Sequence, residues 1–264
     1  MRVGLTGAGG HLGGVITEEA RARGHTVVRM DIPRVYSECD TEALAGLVRA
    51  NPCDALVHCA AARNPRTRQE LYLNAQLPHT LSRAYHSIHA DRTFIHVSSI
   101  NVLVRGLTDR YTESKRRAER ALDDRASIIV RPSLIWSAQE RGAAGRLRDF
   151  LLRMPVSCMV FPGNRHLPVL DSAVAAQIVT LAETASPSRV VNVIGDTAVT
   201  LWQLGKHVAA SHDRRLIPVP IPFRSRRLPK LLRHTDYTNF DEAWVPRAND
   251  QVVLPFTLNG PPPT

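Results

Sequence analysis

Three residues near the middle of the chain, Ser99, Tyr111 and Lys115, have the types and spacing for proton transfer at a hydroxyl or carbonyl oxygen. Tyr111 and Lys115 are four residues apart, so on a helix they lie on the same face, one turn from each other. A neighbouring ammonium stabilises a phenolate and lowers the tyrosine pKa from its usual value of about 10. Tyr111 is therefore a candidate acid or base, and Ser99, at the end of a predicted strand, is a candidate hydrogen-bond donor to the same oxygen.

A second chemical feature is the glycine-rich stretch near the start of the chain, between a predicted strand and a predicted helix. Without side chains at Gly7, Gly10 and Gly13, the backbone can turn tightly and a pyrophosphate can approach the amides. The helix expected from His11, through Leu12, would direct unpaired N–H groups at such an anion. The pattern predicts a dinucleotide-binding turn.

Asp31 lies 24 residues after Gly7, at the end of the second predicted strand. In a dinucleotide-binding fold, a carboxylate at this place accepts hydrogen bonds from the adenosine ribose hydroxyls and repels the 2′-phosphate of NADP. The sequence therefore favours NAD. NADP stays open, since Arg34 could bind a 2′-phosphate.

These residues need a frame that brings them together, and strands alternate with helices along the chain. We predict helices over 11–23, 40–50 and 69–88, and strands over 25–30, 54–58 and 93–97. The alternation predicts an α/β fold in which a parallel sheet is covered by helices on both faces, the doubly wound Rossmann arrangement. The small residues Ala60 and Ala61, just after a strand, would let the chain pass close to a dinucleotide.

The chain is strongly basic, with a formal net charge of +10 at pH 7. Only 3 of its 34 basic residues are lysines, and the 31 arginines are spread over nearly the whole length, which argues against a concentrated nucleic-acid face. The densest group, between Arg224 and Arg233, is either a solvated surface or a site for a phosphorylated or carboxylated substrate.

Other sequence patterns limit where we expect the protein in the cell and which chemistry we expect of it. No apolar run approaches the ~20 residues of a membrane helix and no signal peptide pattern is present, so we expect a cytoplasmic protein with no membrane partner. The cysteines lack CxxC spacing and the histidines lack HExxH spacing, so we expect no metal site. The four cysteines are Cys39, Cys53, Cys59 and Cys158.

With these motifs in place, the sequence resembles the extended short-chain dehydrogenase/reductase superfamily, the branch of NAD-dependent epimerases, dehydratases and sugar-nucleotide reductases. The resemblance covers about residues 1–210. It includes the TGxxGxxG and YxxxK patterns and four further segments. The matching segments are 6–13, 94–99, 111–115, 129–133, 168–175 and 191–195.

The resemblance implies a role for each matching residue. Tyr111 is the acid or base, Lys115 lowers its pKa and holds the nicotinamide ribose, and Ser99 polarises the carbonyl. Pro132 ends the strand whose following loop meets the nicotinamide and the substrate. Glu38 lies where the superfamily often has an acidic group near the adenine amine.

Two departures bear on the reaction and the substrate. Dehydratases of the superfamily carry an Asp-Glu pair after the strand-end hydroxyl, whereas this chain has Ile100 and Asn101, which disfavours dehydration. The link of 12 residues from Ser99 to Tyr111 is shorter than usual and predicts a trimmed substrate lobe. We expect a dinucleotide-binding core of 1–132 plus 166–196 and a small, discontinuous substrate lobe of 133–165 plus 197–264.

The combined pattern predicts hydride transfer between a nicotinamide cofactor and a carbinol or ketone carbon of a sugar, sugar nucleotide or related metabolite. Reduction, oxidation and epimerisation share this chemistry and stay open. The alternative is a non-catalytic dinucleotide-binding redox sensor or regulatory protein of the same fold, although such proteins tend to lose the tyrosine and lysine. A homodimer is also implied, because helices around 69–88 and 110–124 pair subunits in many relatives.

Overall fold

The computed structural model of the chain describes residues 1–32, 40–122, 127–160, 165–184, 189–219, 237–238, 240 and 249–258. Its helices are α1 (His11–Ala22), α2 (Thr41–Ala50), α3 (Arg68–Ala75), α4 (Leu77–His86), α5 (Arg110–Ala121), α6 (Gly142–Arg153), α7 (Asp171–Glu183) and α8 (Leu201–Ala210). The first seven strands are β1 (Arg2–Thr6), β2 (Thr26–Arg29), β3 (Ala55–His58), β4 (Thr93–Val97), β5 (Ser127–Pro132), β6 (Ile135–Trp136) and β7 (Cys158–Val160). The others are β8 (Arg165–His166), β9 (Val169–Leu170), β10 (Arg189–Gly195), β11 (Val199–Thr200), β12 (Ile217–Val219) and β13 (Asn249–Leu254).

Seven strands form one parallel sheet in the order β2-β1-β3-β4-β5-β10-β13. Every residue of β3, β4 and β5 is buried, because helices cover both faces of the sheet. Helices α1 and α7 pack together on one face, and α2 with α4 and α3 with α5 pack on the other. The predicted doubly wound α/β fold is confirmed.

The order of the strands reverses at β1. From β1 the chain first adds β2 on one side of the sheet and then β3 on the other. Loops that leave the carboxyl ends of two such strands diverge and open a crevice, which is where ligands bind in sheets of this kind. The glycine turn after β1 and the small residues after β3 line this crevice.

The single helix predicted over 69–88 is wrong, since the structure has two helices that meet at Gln76. The break has a local cause. Pro78 has no N–H to donate to the carbonyl of Asn74, and its ring crowds that carbonyl. Pro78 is tolerated in the first turn of α4, where an N–H would have no partner within the helix.

A smaller layer is built from the segments on either side of α7. Short strands pair there as β6 with β9, β7 with β12 and β8 with β11. A separate apolar cluster joins α6 and α8 to these strands through side chains that include Trp136, Leu151, Met159, Leu204 and Phe256.

One strand differs from the expected division of the chain. Strand β13 lies within the segment 197–264 that we assigned to the substrate lobe, but it pairs in parallel with β10 as an edge of the central sheet. Its Val252 and Leu254 pack against the main apolar core. None of the described helices combines the length and the apolar character needed to cross a bilayer.

Candidate active site

The loop from β1 to α1 has glycine at the places where the backbone is tightest. Gly7 has a φ of +72°, in the left-handed region that residues with a side chain rarely adopt. A Cβ at Gly13 would lie 2.1 Å from the Gly7 carbonyl oxygen, and one at Gly7 would lie 2.7 Å from the Ala60 nitrogen. No side chain caps α1 after Gly10, so the first amides of the helix, including that of Leu12, can bind an anion.

The segment after β3 runs against this turn and is held by hydrogen bonds. The Cys59 amide donates to the Thr6 carbonyl at 3.3 Å. The fully buried Asn74 accepts from the Ala62 amide at 2.8 Å and donates to the Ala62 carbonyl at 2.7 Å. Ala60 and Ala61 therefore form a fixed wall of the crevice between these two anchors.

The carboxyl end of β2 carries two opposite charges. Asp31, the predicted ribose-binding carboxylate, is exposed. Arg29 is exposed as well, and one of its guanidinium nitrogens lies 3.8 Å from where a Cβ of Gly9 would stand, beside the glycine turn. Sequence reasoning missed Arg29, although its spacing of two residues from Asp31 places both on one side of the strand. The predicted Glu38, like Arg34, lies outside the described residues.

The structure brings Ser99 and Tyr111 together at the carboxyl end of β4. Ser99 precedes a 3₁₀ turn at Ile100–Leu103, and its hydroxyl accepts from the Asn101 amide. Tyr111 lies in the first turn of α5, where the Asp109 carboxylate accepts from its amide at 3.0 Å. The Ser99 hydroxyl lies close enough to the Tyr111 phenol to lower its pKa.

Arg116 explains how a link of 12 residues can still join these two positions. This buried side chain of α5 donates to three backbone carbonyls of the link, those of Val102, Val104 and Leu107, at 2.7 to 3.3 Å. It also pairs with the Glu113 carboxylate. The link is therefore tied to the helix that carries Tyr111.

The pKa of Tyr111 differs from the sequence expectation. Lys115 was expected to lower it, but burial raises the Tyr111 pKa to about 12. The Ser99 hydroxyl and the guanidinium of Arg63 lower it by less. Taking a phenol out of water disfavours the phenolate, and at this position that effect is larger than the stabilisation by its neighbours. Tyr111 is therefore a neutral donor near pH 7.

Lys115 lies one turn further along α5 and is 1% exposed. Its Nζ donates to the carbonyl of Val97, the last residue of β4, at 2.8 Å. Burial lowers the pKa of Lys115 to about 8, while Cys59 and Glu119 raise it. The ammonium thus lies between the end of β4 and helix α5. Its lowered pKa lets it lose its proton close to neutral pH.

The segment after β5 folds back over the start of α1. Pro132 ends β5, buried in the sheet, and Gly142 has a φ of +61°, with its missing Cβ 2.6 Å from the His11 ring. The His11 Nε2 lies 3.1 Å from a carboxylate oxygen of the buried Asp171. The His11 side chain therefore contributes to packing at the glycine turn, in addition to the amide that the sequence singled out.

Exposed arginines lie on or next to the two loops that flank Tyr111. Arg63 and Arg66 follow β3, while Arg105 lies between β4 and α5 and Arg110 is the first residue of α5. The loops are joined where Arg110 donates to the Arg66 carbonyl at 3.4 Å. Within the part of the chain that the structure describes, none of the four forms an ion pair with a carboxylate. The predicted anion site at 224–233 lies outside the described residues.

No protein-family model and no curated protein sequence matches the chain. Solved structures do. The dTDP-4-dehydrorhamnose reductase of Bacillus anthracis in complex with NADP is 16% identical, with a TM-score of 0.70 and 87% of each chain covered. The UDP-glucose 4-epimerase of Thermus thermophilus in complex with NAD is 18% identical, with a TM-score of 0.66 and coverage of 89% of this chain and 90% of that one. The UDP-glucose 4-epimerase of Thermotoga maritima with UDP-glucose is 13% identical, with a TM-score of 0.72 and coverage of 92% and 91%.

These neighbours are members of the extended short-chain dehydrogenase/reductase superfamily. This chain has their fold. In this fold, the glycine turn, Ser99 and the start of α5 all lie at the carboxyl edge of the sheet, because parallel strands end on the same side. Within the described residues, no group of three or more His, Cys, Asp or Glu side chains is arranged to hold a metal ion.

Proposed function

We propose that this chain is an NAD(P)-dependent enzyme of the short-chain dehydrogenase type. It would transfer hydride at a carbinol or ketone carbon of a sugar, sugar nucleotide or related metabolite. The observation that carries the proposal is the placement of the Ser99 hydroxyl close to the Tyr111 phenol, one helical turn from the buried Lys115. Neighbours of the same fold are named as sugar-nucleotide reductases and epimerases and hold NADP or NAD, which supports the proposal.

A dinucleotide fits the crevice. Glycine at 7 and 13 lets the turn after β1 pack against Ala60 and the first turn of α1, and the uncapped amides at the start of α1 can then bind a pyrophosphate. Asp31 would accept hydrogen bonds from the ribose hydroxyls, so we propose NAD as the cofactor. Arg29 is the residue that would instead favour NADP.

The nicotinamide, when bound, would supply or accept the hydride. Tyr111 would donate its proton to the substrate oxygen during reduction and take one during oxidation, and its raised pKa keeps that proton in place near pH 7. Ser99 would donate a hydrogen bond to the same oxygen and hold it in line with the phenol. Lys115 would stabilise the negative charge that develops when Tyr111 gives up its proton.

The charge at the mouth of the site supports an anionic substrate. Arg63 is close enough to lower the Tyr111 pKa, and Arg66, Arg105 and Arg110 are exposed on or next to the same two loops. A phosphoryl or carboxylate group is what unpaired guanidinium groups recognise.

The homodimer and the separate substrate lobe stay predictions of the sequence, which light scattering and limited proteolysis would test.

The test is turnover with a panel of nucleotide sugars that carry a 4-hydroxyl or 4-keto group. Nicotinamide absorbance would report reduction or oxidation in the presence of NADH, NADPH or their oxidised forms, and proton NMR would report epimerisation. We expect turnover of at least one anionic member. Tight NADH binding without turnover across the panel would favour the redox sensor instead, and failure to bind either dinucleotide would contradict both.

A further inference from the structure

The residue one turn beyond Lys115 on α5 is Glu119, and its carboxylate is almost fully enclosed. It accepts a 2.5 Å hydrogen bond from the Ser98 hydroxyl. It also accepts from Arg131 of β5, at 3.0 and 3.2 Å from Nε and at 2.6 Å from Nη2. Arg131 is 1% exposed and Glu119 is 9% exposed, so this is a buried ion pair between helix and sheet.

Stability alone does not account for such a pair. The free-energy cost of removing two charges from water often equals the free energy gained from their attraction. Apolar residues of the same volume frequently stabilise a protein equally well. What sets this pair apart is its place. Ser98 lies between Val97, whose carbonyl accepts from Lys115, and the candidate catalytic Ser99.

Helix α5 thus presents three residues on one face at intervals of four, Tyr111, Lys115 and Glu119. The first meets Ser99, the second meets Val97, and the third meets Ser98. Three consecutive residues at the end of β4 are therefore held by three successive turns of the helix. Loss of the third contact would free the strand end that positions the other two.

Charge is the second part of the argument. Lys115 is faced by His58 and Cys59 from the end of β3 and by His96 from β4. Its charge and burial lower the pKa of both histidines, which leaves them neutral near pH 7. Burial also raises the pKa of the Cys59 thiol to about 11, so the thiol is neutral too. Of the described groups around Lys115, Glu119 is the acidic one, and its carboxylate is paired with Arg131.

We propose that Glu119, held by Arg131 and Ser98, is a positioning residue that keeps Lys115 charged and anchored at the end of β4. Its importance for turnover rests on the proposed function. Its effect on Lys115 does not, and can be measured without a substrate.

The chain offers a direct measurement, because it contains only three lysines, at 115, 206 and 230. Lysine labelled with carbon-13 at Cε gives one NMR signal for each residue, and the Lys115→Arg variant identifies the signal of Lys115. We expect Lys115 to titrate well below the ordinary lysine pKa of about 10.4. In Glu119→Gln its midpoint should fall by a further ~1 pH unit or more, since a charge of opposite sign at close range shifts a pKa by about 1–3 units.

Two further variants make the result decisive. Glu119→Gln combined with Arg131→Met removes both charges and keeps the interior filled. If the single variant does not fold, this variant should show a smaller downward shift, because a positive charge is lost together with the negative one. Glu113→Gln removes a carboxylate from the same helix that pairs with Arg116 instead, and should leave the Lys115 titration unchanged. An unchanged Lys115 midpoint in the folded Glu119 variants would overturn the proposal. Absence of turnover in the wild type would contradict the proposed function and leave this result standing.

Discussion

At the residue scale, Tyr111 shows why a motif does not by itself define an acid–base group. The YxxxK spacing predicts a phenol with a lowered pKa, yet burial raises it to about 12. Burial also lowers the pKa of Lys115 to about 8, so the two pKa values, which are nearly equal in free side chains, move apart. A protonated phenol beside an ammonium that titrates near neutral pH suits proton donation to a substrate oxygen.

Replacement of Tyr111 by Phe removes that proton and leaves the ring. We expect kcat to fall by about 10²- to 10⁴-fold, the usual contribution of a positioned acid or base, with NADH affinity little changed. Tyr85→Phe is the matched control, because this buried tyrosine bonds the Cys53 carbonyl, in the apolar core on the same face. Steady-state kinetics and NADH titration distinguish the two, and full activity of Tyr111→Phe would refute the assigned role.

Cofactor choice also belongs to single residues. Asp31 would repel a 2′-phosphate, and Arg29 would attract one. We expect Asp31→Ala to improve the ratio of NADPH to NADH affinity by about tenfold, the equivalent of one charge-assisted hydrogen bond, and Arg29→Ala to shift the ratio the other way. Fluorescence titration with each dinucleotide measures both. Identical ratios of NADPH to NADH affinity in the two variants would mean that neither residue recognises the ribose or its 2′-phosphate.

At the scale of elements, the start of α1 depends on how closely its first turn approaches the end of β1. The Gly13 position is closed by the Gly7 carbonyl oxygen, whereas no described atom outside the helix lies within 4 Å of a Cβ at Gly14. Two neighbouring glycines of one helix therefore have different roles. The first permits close packing, and the second lowers helix stability without a compensating contact.

These two glycines provide a matched pair of variants. Gly13→Ala must displace the turn, so we expect a loss of about 2–4 kcal/mol in the free energy of unfolding and a large loss of dinucleotide affinity. Gly14→Ala should instead gain about 0.5–1 kcal/mol and bind normally. Chemical denaturation and NADH titration test both. Equal effects at the two positions would contradict the close approach at Gly13.

At the scale of the whole molecule, the centre of the sheet contains ionisable groups held in their neutral form. His58 and His96 are fully buried neighbours on β3 and β4, with ring centroids 5.5 Å apart. Burial, with Lys115 nearby, lowers the pKa of His58 to about 3 and that of His96 well below its ordinary value. The pH dependence of stability follows from this difference between folded and unfolded chains.

Below pH 6.5 the unfolded chain binds protons at both histidines, whereas the folded chain keeps both neutral to a lower pH, near 3 for His58. Stability is therefore complete above pH 6.5 and is lost as the pH falls through this window, by about 1.4 kcal/mol per pH unit for each histidine. We expect His96→Leu to reduce that slope by the contribution of one histidine, about 1.4 kcal/mol per pH unit. Urea unfolding between pH 4 and 8 measures it, and a slope equal to that of the wild type would show that His96 already carries a proton when folded.

Local signals predicted much of this protein. The glycine turn, the buried strands and the YxxxK helix each depend on nearby residues, because turn geometry and helix periodicity have short range. The break at Gln76 also has a local cause, Pro78, but it was not predicted because the apolar periodicity hid it. Strand β13 was missed, because its pairing with β10 joins segments more than 50 residues apart.

The sequence by itself determined the order of strands and helices and the residue types that can do chemistry at their ends. Only the tertiary structure decided the direction of the Tyr111 pKa, the approach of Arg29 to the glycine turn and the enclosure of Glu119 by Ser98 and Arg131. The physical reason is that burial and charge pairing depend on which side chains converge in space. That convergence is made by the packing of α5 against the sheet.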